Sequence, residues 1–441
     1  MGASVKWGLN GMVKSLEYAV PKADPVQFVA IGDKKSADYD SISVNAPPHA
    51  VIIIENMTAP ADRRVWQQAL ALKEDGWRVS IIAPKLGAYR EARETIQGVD
   101  IYRHDLPLQA NTIAAFALEY GWALASEMER LVHIGLGTID VVQICNPPDF
   151  LFAPALLAKV FGNAKVVFDH HDLTPELLVE KTGRDSGMLL SFARWAERMT
   201  FRTADQVIST NTGFRQRAIE LGGKAPRDVS VVYSTPDTNN LPTGVETPSL
   251  KRGKDILLFW VGIIGSQDGV DLLLDAIAHL RALPGGDRFH LAIAGDGPER
   301  ASLEEKASAM GLDDVVSFEG FVYGQDLANA FVTADIGLGS DPKNAFNDRL
   351  AMNKTFEYMT YSLPIVMFDL DESRRIAGDA AIYVGENDPA ALANSISNLI
   401  DSPAKQSAMG TRGHQRLQEY YSWGAQKEKY LDVYRNLIAT P

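Results

Sequence analysis

The chain has 441 residues, 46% of them hydrophobic and 22% charged, ordinary globular values that exclude a disordered polymer. Its formal net charge of −13 argues against a dedicated nucleic-acid binder, and its single cysteine, Cys145, excludes an intrachain disulfide and gives secretion no support. No run approaches the roughly 18 apolar residues of a membrane span. The N-terminus lacks the basic-then-apolar order of a secretory signal, so the cytoplasm is the expected compartment. At roughly 150 residues per domain, the length predicts about three domains or two large ones.

Residues 1–48 read as an N-terminal extension. Val5, Trp7, Leu9, Met12, Val13, Leu16 and Tyr18 fit one face of a short helix, which Pro21, Pro25, Pro47 and Pro48 end. This segment suits either an arm packed on the body or an interfacial membrane helix. Lys6 stands where a myristoylation motif needs Ser or Thr. After Ala50 strands and helices alternate. Val51–Ile54 is wholly apolar, as a strand buried on both faces must be. Arg64–Asp75 has helical spacing and stops at Gly76; Arg78–Ala83, Asp140–Ile144, Lys165–Phe168, Asp205–Ser209 and Val229–Val232 are further strands. Thr235–Lys254, rich in Pro, Thr, Asn and Gly, reads as a linker. The alternation restarts with strands Ile256–Val261, His290–Ala294, Val315–Phe318, Ile336–Leu338, Ile365–Phe368 and Ala381–Val384, separated by helices such as Val270–Leu283 and Glu299–Met310. A final helix fits Ser422–Leu437. The expected fold is α/β: two doubly wound parallel sheets, over 49–240 with the returning segment 422–441, and over 241–421.

Open parallel sheets bind ligands at the carboxyl ends of their strands, and two facing sheets make a cleft. The loops there carry the chemistry. Strand Ile256–Val261 runs into Gly262-Ile263-Ile264-Gly265 and on through Asp268-Gly269, and the next strand ends in Gly295-Asp296-Gly297. Glycines let backbone approach a phosphate, or simply make turns. Neither stretch fits the dinucleotide fingerprint, so a nicotinamide dehydrogenase is disfavoured. Further on come Asp341-Pro342-Lys343-Asn344, Asn347-Asp348 and a helix over Met352–Ser362. Lys354 lies in its first turn, where the helix dipole repels a cation unless an anion is present, and Glu357 follows on the same face. A cation beside amide donors suits a diphosphate and a carboxylate one turn deeper suits a ribose diol; the same spacing fits a surface Lys–Glu pair. In the first half, Arg63 and Arg64 open a helix behind Asp62. Asp169-His170-His171-Asp172 ends a strand and suits hydrogen bonding to a polyhydroxylated substrate or capping. A metal is not expected there, because adjacent residues rarely reach one ion and no second group shows ligand spacing. Residues 181–229 carry nine basic against five acidic residues, a solvated face or a patch for an anionic membrane or phosphorylated acceptor.

Taken together, Asp62-Arg63-Arg64-Val65-Trp66, Asp169-His170-His171-Asp172-Leu173 with Pro175-Glu176, Gln267-Asp268-Gly269-Val270-Asp271, and Asp341-Pro342-Lys343-Asn344 with Asn353-Lys354 and Glu357-Tyr358-Met359 resemble the GT-B-fold glycosyltransferases of family 4, in particular a bacterial subgroup, over about residues 50–440. The resemblance implies a retaining, metal-independent enzyme with no cofactor beyond its substrate. It implies a UDP- or GDP-sugar donor bound mainly by the C-terminal half, and a glycan or lipid-linked acceptor bound mainly by the N-terminal half. His171 matches the histidine near the reacting sugar carbon, Glu357 the glutamate holding the ribose, Gly262–Gly265 the diphosphate loop and Phe321-Val322 the turn beside the base. The expected catalytic residues are therefore His171, Lys354 and Glu357. Gly262, Gly265, Gly295, Gly297, Val322, Lys343, Arg349 and Asn353 are expected on the donor side, and Arg63, Arg64, His170 and Asp172 on the acceptor side.

The chain departs from the family at three positions. Arg349 stands where the first glutamate of the paired motif would fall, and Ile263 and Asp268 replace the two cations usual for the diphosphate. Lys354, Lys343 and Arg349 are expected to supply the missing charge. The expected chemistry is attack by the acceptor hydroxyl from the leaving-group face, with the diphosphate taking its proton, in surface-polysaccharide or glycolipid synthesis at the inner membrane face. A sugar-nucleotide epimerase on the same fold and a catalytically silent donor-binding partner are the alternatives.

Overall fold

A computed structural model describes residues 46–106, 113–182 and 185–439. The N-terminal arm lies outside the described residues, as do Arg184 and the side chain of Lys181 from the basic stretch.

The first sheet is built from β1 (His49–Ile54), α1 (Arg63–Glu74), β2 (Arg78–Pro84), β3 (Arg93–Ile96), β4 (Val99–His104), α2 (Ile113–Ile134), β5 (Val141–Cys145), α3 (Phe152–Gly162), β6 (Lys165–His170), α4 (Thr174–Thr182), α5 (Met188–Thr203), β7 (Gln206–Ser209), α6 (Thr212–Glu220) and β8 (Val229–Val231). Its order is β3-β4-β2-β1-β5-β6-β7-β8. β1 is buried along its whole length and pairs in parallel with β2 and β5, Val51 lying opposite Ser80 and Val142. The two flanking sheet partners and the helices force that strand to be apolar on both faces. α1 starts where Asp62 Oδ1 accepts the Val65 N–H at 2.9 Å and ends before Gly76, whose φ of +90° needs no Cβ.

Three elements differ from the sequence reading, which assigns nothing between Arg78–Ala83 and Asp140–Ile144. β3 and β4 form an antiparallel hairpin at the sheet edge, turning at Gln97-Gly98 with positive φ at both residues, and α2 follows. The sheet is thus mixed rather than purely parallel. Gln-Gly is a weaker turn signal than Asn-Gly, and the short strand β3 alternates between exposed and half-buried residues without a strong apolar period.

The second sheet contains β9 (Ile256–Val261), α7 (Val270–Ala282), β10 (Phe289–Ala294), α8 (Arg300–Ala309), β11 (Val316–Gly320), α9 (Gly324–Thr333), β12 (Ile336–Gly339), α10 (Asn353–Thr360), β13 (Ile365–Phe368), α11 (Asp371–Ala377) and β14 (Ala381–Val384), followed by α12 (Pro389–Ile400), α13 (Pro403–Arg416) and α14 (Trp423–Ala439). Its order is β11-β10-β9-β12-β13-β14, and the described pairings are parallel. The period of two sorts β9: Leu258 and Trp260 enter a core with Ile277, Leu291 and Ile396, whereas Leu257 and Phe259 enter the opposite core with Phe331, Phe356 and Tyr358. β9 has β10 on one side and β12 on the other, as β1 has β2 and β5. These are the switch points at which chain crossings leave a crevice above the carboxyl ends of the strands.

By packing, the described chain divides into two compact units. One comprises the residues up to Thr174, Ala193–Ile208 and Tyr430 onward; the other comprises Pro175–Phe192 and Ser209–Lys429. Among the described residues no helix is long and apolar enough to cross a membrane.

Candidate active site

In the C-terminal unit the loops after β9, β10 and β12 converge on the first turn of α10. Glycine makes the approach possible. A Cβ on Gly269, at φ +62°, would lie 2.1 Å from the Ser340 carbonyl oxygen, and one on Gly297 2.4 Å from that of Ile264. The Trp260 indole donates to Ser340 Oγ at 2.9 Å, Ser340 Oγ donates to the Asp268 carbonyl at 2.7 Å, and Asn347 Nδ2 donates to the Gln267 carbonyl at 2.9 Å. The amides of Gly262, Ile264 and Gly265 are already donating, to Ala294 O, Asp296 O and Asp268 Oδ2. Gly295 donates its N–H to the Gly320 carbonyl at 2.7 Å, so Gly262, Gly265, Gly295 and Gly297 build the loop scaffold.

Lys354 is 7% exposed and meets both Asp341 carboxylate oxygens at 3.0 Å, its ammonium 4.6 Å from the centre of the Trp260 ring. Asp268 lies beside this pair. Burial pushes its carboxyl up to about 7, the Lys354 charge pulls it down and the Asp341 charge adds to the rise. One ammonium thus faces two carboxyl groups. The other expected cations stand elsewhere. Lys343 is exposed, bonded to Asp348 at 3.2 Å and Asp371 at 3.0 Å, and Arg349 is exposed. Asn353 is exposed at the start of α10, and Glu357 is half-buried one turn after Lys354. Met352, the residue capping α10, offers no side-chain acceptor to the first-turn amides. Val322 lines a cavity of about 390 Å³ with Phe321, Tyr323, Leu250, Phe259 and Glu319.

The N-terminal unit holds a second polar centre, at the end of β6. Asp169 is wholly buried. It takes a two-pronged bond from Arg64 (Nη2 to Oδ1 at 2.8 Å, Nε to Oδ2 at 3.0 Å), a bond from Gln68 Nε2 at 2.6 Å, and contact with His171 Nε2 at 2.8 Å. Burial alone would raise its carboxyl; the Arg64 charge and then His171 outweigh that and hold it far below the usual range. The chain of bonds continues inward. Gln143 Nε2 donates to Gln68 Oε1 at 2.8 Å, and the Tyr434 and Tyr430 hydroxyls donate to Gln143 Oε1 at 2.7 and 2.9 Å. His171 is the partly exposed end of this relay, and Asn146 Oδ1 clamps its backbone N–H at 2.7 Å.

Arg64 is thereby an internal strut. His170 is 1% exposed and packs on Phe168 and Phe201, with ring centres at 5.2 and 5.3 Å. The Asp172 carboxylate accepts from Leu173 N at 3.1 Å, and Arg63 is exposed. The sequence reading did not single out Gln68, Gln143, Tyr430, Tyr434, Trp260 or Asp341 as site residues. The only local signal was that Asp169 and Asp341 stand inside the motifs quoted above.

Comparison with known proteins gives two family matches. Residues 255–402 match the model described as "Glycosyl transferases group 1", and residues 61–233 match a "Glycosyl transferase 4-like domain". Among curated relatives, alpha-D-kanosaminyltransferase of Streptomyces kanamyceticus is 25% identical over 409 residues, spanning 88% of this chain and 95% of that protein. Among solved structures, sucrose-phosphate synthase from Thermosynechococcus elongatus superposes with a TM-score of 0.69 at 15% identity, covering 89% of this chain and 100% of that one. Anabaena HepE in complex with UDP-glucose superposes with a TM-score of 0.62 at 13% identity, covering 88% and 99%.

The Asp169 centre has a measurable consequence. Arg64→Ala leaves a buried carboxylate without its main counter-charge, which costs about 3–5 kcal/mol. Because Asp169 is held low in the folded state, the stability from this pairing is complete above the unfolded carboxylate value near 4 and is lost as pH falls through the folded value. Urea unfolding should therefore show the full deficit of Arg64→Ala at pH 7 and a smaller one in strong acid.

Proposed function

This chain is a family-4-like glycosyl transferase of the GT-B fold, and we propose that it moves a sugar from a UDP- or GDP-sugar to a hydroxyl of a glycan or lipid-linked acceptor, with retention and with no metal at the reacting centre. The observation that carries this reading is the Lys354–Asp341–Asp268 cluster. It stands at the switch point of the second sheet, beside a helix start whose amides lack a side-chain cap. As the glycosidic bond breaks, negative charge grows on the leaving diphosphate. The first-turn amides of α10 and the Lys354 ammonium oppose that charge. The acceptor hydroxyl attacks from the same face and passes its proton to the departing phosphate oxygen, so no enzyme nucleophile takes part. We assign Glu357 to the ribose hydroxyls, the cavity beside Val322 to the base, and His171, oriented by Asp169, to the donor sugar near its reacting carbon.

The same cluster supports a second reading, a silent donor-binding partner, because Lys354 and Lys343 are both matched by acids. A thermal-shift panel of UDP-, GDP- and dTDP-sugars, followed by turnover with hydroxyl acceptors, separates the two. A binder stabilises by RT ln(1 + [L]/Kd), and turnover excludes the silent reading. Lys354→Ala should lose about 100-fold in kcat; near wild-type turnover would remove Lys354 from this role.

Charge also sets a pH dependence. Below about 7 Asp268 keeps its proton and the cluster with Lys354 and Asp341 is neutral; above it the cluster carries one net negative charge and repels a diphosphate. Donor affinity measured by calorimetry should weaken above pH 7 in the wild type and stay flat in Asp268→Asn.

Membrane docking is read from α5. Its outward residues are Met188, Leu189, Phe192 and Trp195, interleaved with exposed Arg194, Arg198 and Arg202. Aromatic and arginine side chains on one helix face suit the boundary of an anionic bilayer. The basic stretch as a whole is not a patch. Arg217 is buried against Glu176 at 2.6 Å, and Arg215 donates to the Val229 and Pro226 carbonyls. In flotation assays with phosphatidylglycerol vesicles, Trp195→Glu with Arg198→Glu should abolish binding while turnover on a water-soluble acceptor persists. Unchanged flotation would rule out α5 as the contact.

A further inference from the structure

Two groups of metal-competent side chains are buried in the N-terminal unit, and their partners tell them apart. The first is Cys145, Asp169 and His171. Asp169 there is saturated by Arg64, Gln68 and His171, so its charge is already balanced. The second is Glu55, His104 and Glu127, whose ligand atoms all lie within 4.8 Å of one another. Glu55 directly follows β1, and His104 closes β4. The two strands flank β2, with Pro84 in register with His104, so this pair stands above the carboxyl end of β2. Glu127 comes from α2.

Among the described residues, the second group lacks the hydrogen-bond partners that Asp169 has. His104 and Glu127 are 0% exposed and Glu55 is 7% exposed. Among the described residues, both Glu127 oxygens, Glu55 Oε2 and His104 Nε2 have no hydrogen-bond partner; Glu55 Oε2 and His104 Nε2 only face each other at 3.0 Å. The hydrogen bonds of the nearby arginines go elsewhere, although the Arg130 charge still pulls the Glu127 carboxyl down. Arg103 spends its guanidinium on Thr58 Oγ1, the Ala59 carbonyl and Glu94, and Arg130 donates to the Ser126 and Arg103 carbonyls. Burial and then the Glu55 charge push the Glu127 carboxyl up, so the two buried carboxyl groups are satisfied either by a proton held between them or by a cation among them. The far ring nitrogen of His104 is 3.4 Å from the Asp105 carbonyl oxygen, which leaves Nε2 as the ligand side of the ring.

We propose that Glu55, His104 and Glu127 form a three-ligand site for a divalent transition-metal cation of the zinc type, apart from the donor-binding loops. Two carboxylates and one imidazole are a donor set that zinc accepts. Bonds of about 2.0–2.2 Å place neighbouring ligand atoms about 3.3–3.6 Å apart in a tetrahedron, a spacing between the 3.0 Å of the Glu55–His104 pair and the 4.8 Å limit of the group. The cation would pin α2 to the carboxyl edge of the first sheet and take no part in sugar transfer.

The test uses the full chain, stripped with EDTA and dialysed. Titration with zinc chloride should show one Zn2+ bound per chain and a raised Tm. Glu127→Gln and His104→Gln should each weaken binding by about 100-fold or more, since even outer-shell losses cost 10- to 100-fold. Uptake by both variants at wild-type affinity would place the metal elsewhere and overturn the proposal, as would no uptake by the wild type. Should the variants fail to fold, Co2+ added to the wild type decides. Weak visible bands of a nitrogen–oxygen site support the assignment, whereas a thiolate charge-transfer band would move the metal to Cys145 and refute it.

Discussion

The architecture of the N-terminal unit depends on one buried carboxylate. Asp169 could not stay ionised at the end of β6 without the Arg64 fork, and Arg64 can reach it only because Asp62 starts α1 where it does. From that requirement the rest of the unit's polar interior follows. Gln68, one turn further along α1, takes the second lone pair; Gln143 on β5 takes Gln68; and the hydroxyls of Tyr430 and Tyr434 on the last helix close the line. Each group in the chain has its hydrogen-bonding need met by the next, which is the condition under which a buried polar network specifies a structure rather than weakening it. The exposed end of this line is His171. A ring fixed through Nε2 by a carboxylate and through its backbone by Asn146 is a ring whose orientation is set before any substrate arrives.

The C-terminal unit solves the opposite problem. There the backbone is brought so close at Gly269 and Gly297 that the loops leave few spare amides, and the charge is concentrated in a single ammonium shared between Asp341 and a cluster partner, Asp268, whose proton is retained toward neutrality. A cation held this way is weaker as an attractor than a free one. It is also pre-positioned: it lies over the Trp260 face, and Trp260 is itself fixed through Ser340. Lys343 and Arg349, the other cations expected at this site, add no charge to the cluster: Lys343 is bonded to Asp348 and Asp371, and Arg349 is exposed.

Most of the fold was legible because it rests on local patterns. The apolar runs of β1 and β9, the Gly76 stop and the Asp62 cap are short-range signals, and the strands they predict fall within a few residues of those observed. The hairpin of β3 and β4 was not, since its turn and strands are unremarkable in composition. The site divides in the same way. Lys354 and Glu357 could be placed on one helix face by spacing alone. That Lys354 would be matched by Asp341, that Arg64 would be a strut and that His170 would be spent on Phe168 and Phe201 depend on which strand neighbours which. A basic stretch in sequence likewise became a much smaller exposed face once Arg215 and Arg217 turned inward.

The Glu55–His104–Glu127 group shows the limit of spacing arguments most clearly. Metal motifs are recognised when ligands recur at short intervals, because a single turn or helix face then presents them together. Here the ligands come from three elements, and only the order β4-β2-β1 brings the first two to one edge. What marks the group is an imbalance and not a pattern. Asp169, equally buried, has every need met, while Glu127, in the same unit, has two oxygens without hydrogen-bond partners among the described residues. Burial applies the same desolvation cost to both carboxyls. The difference between a structural carboxylate and a candidate ligand therefore lies wholly in which groups the fold has turned toward it.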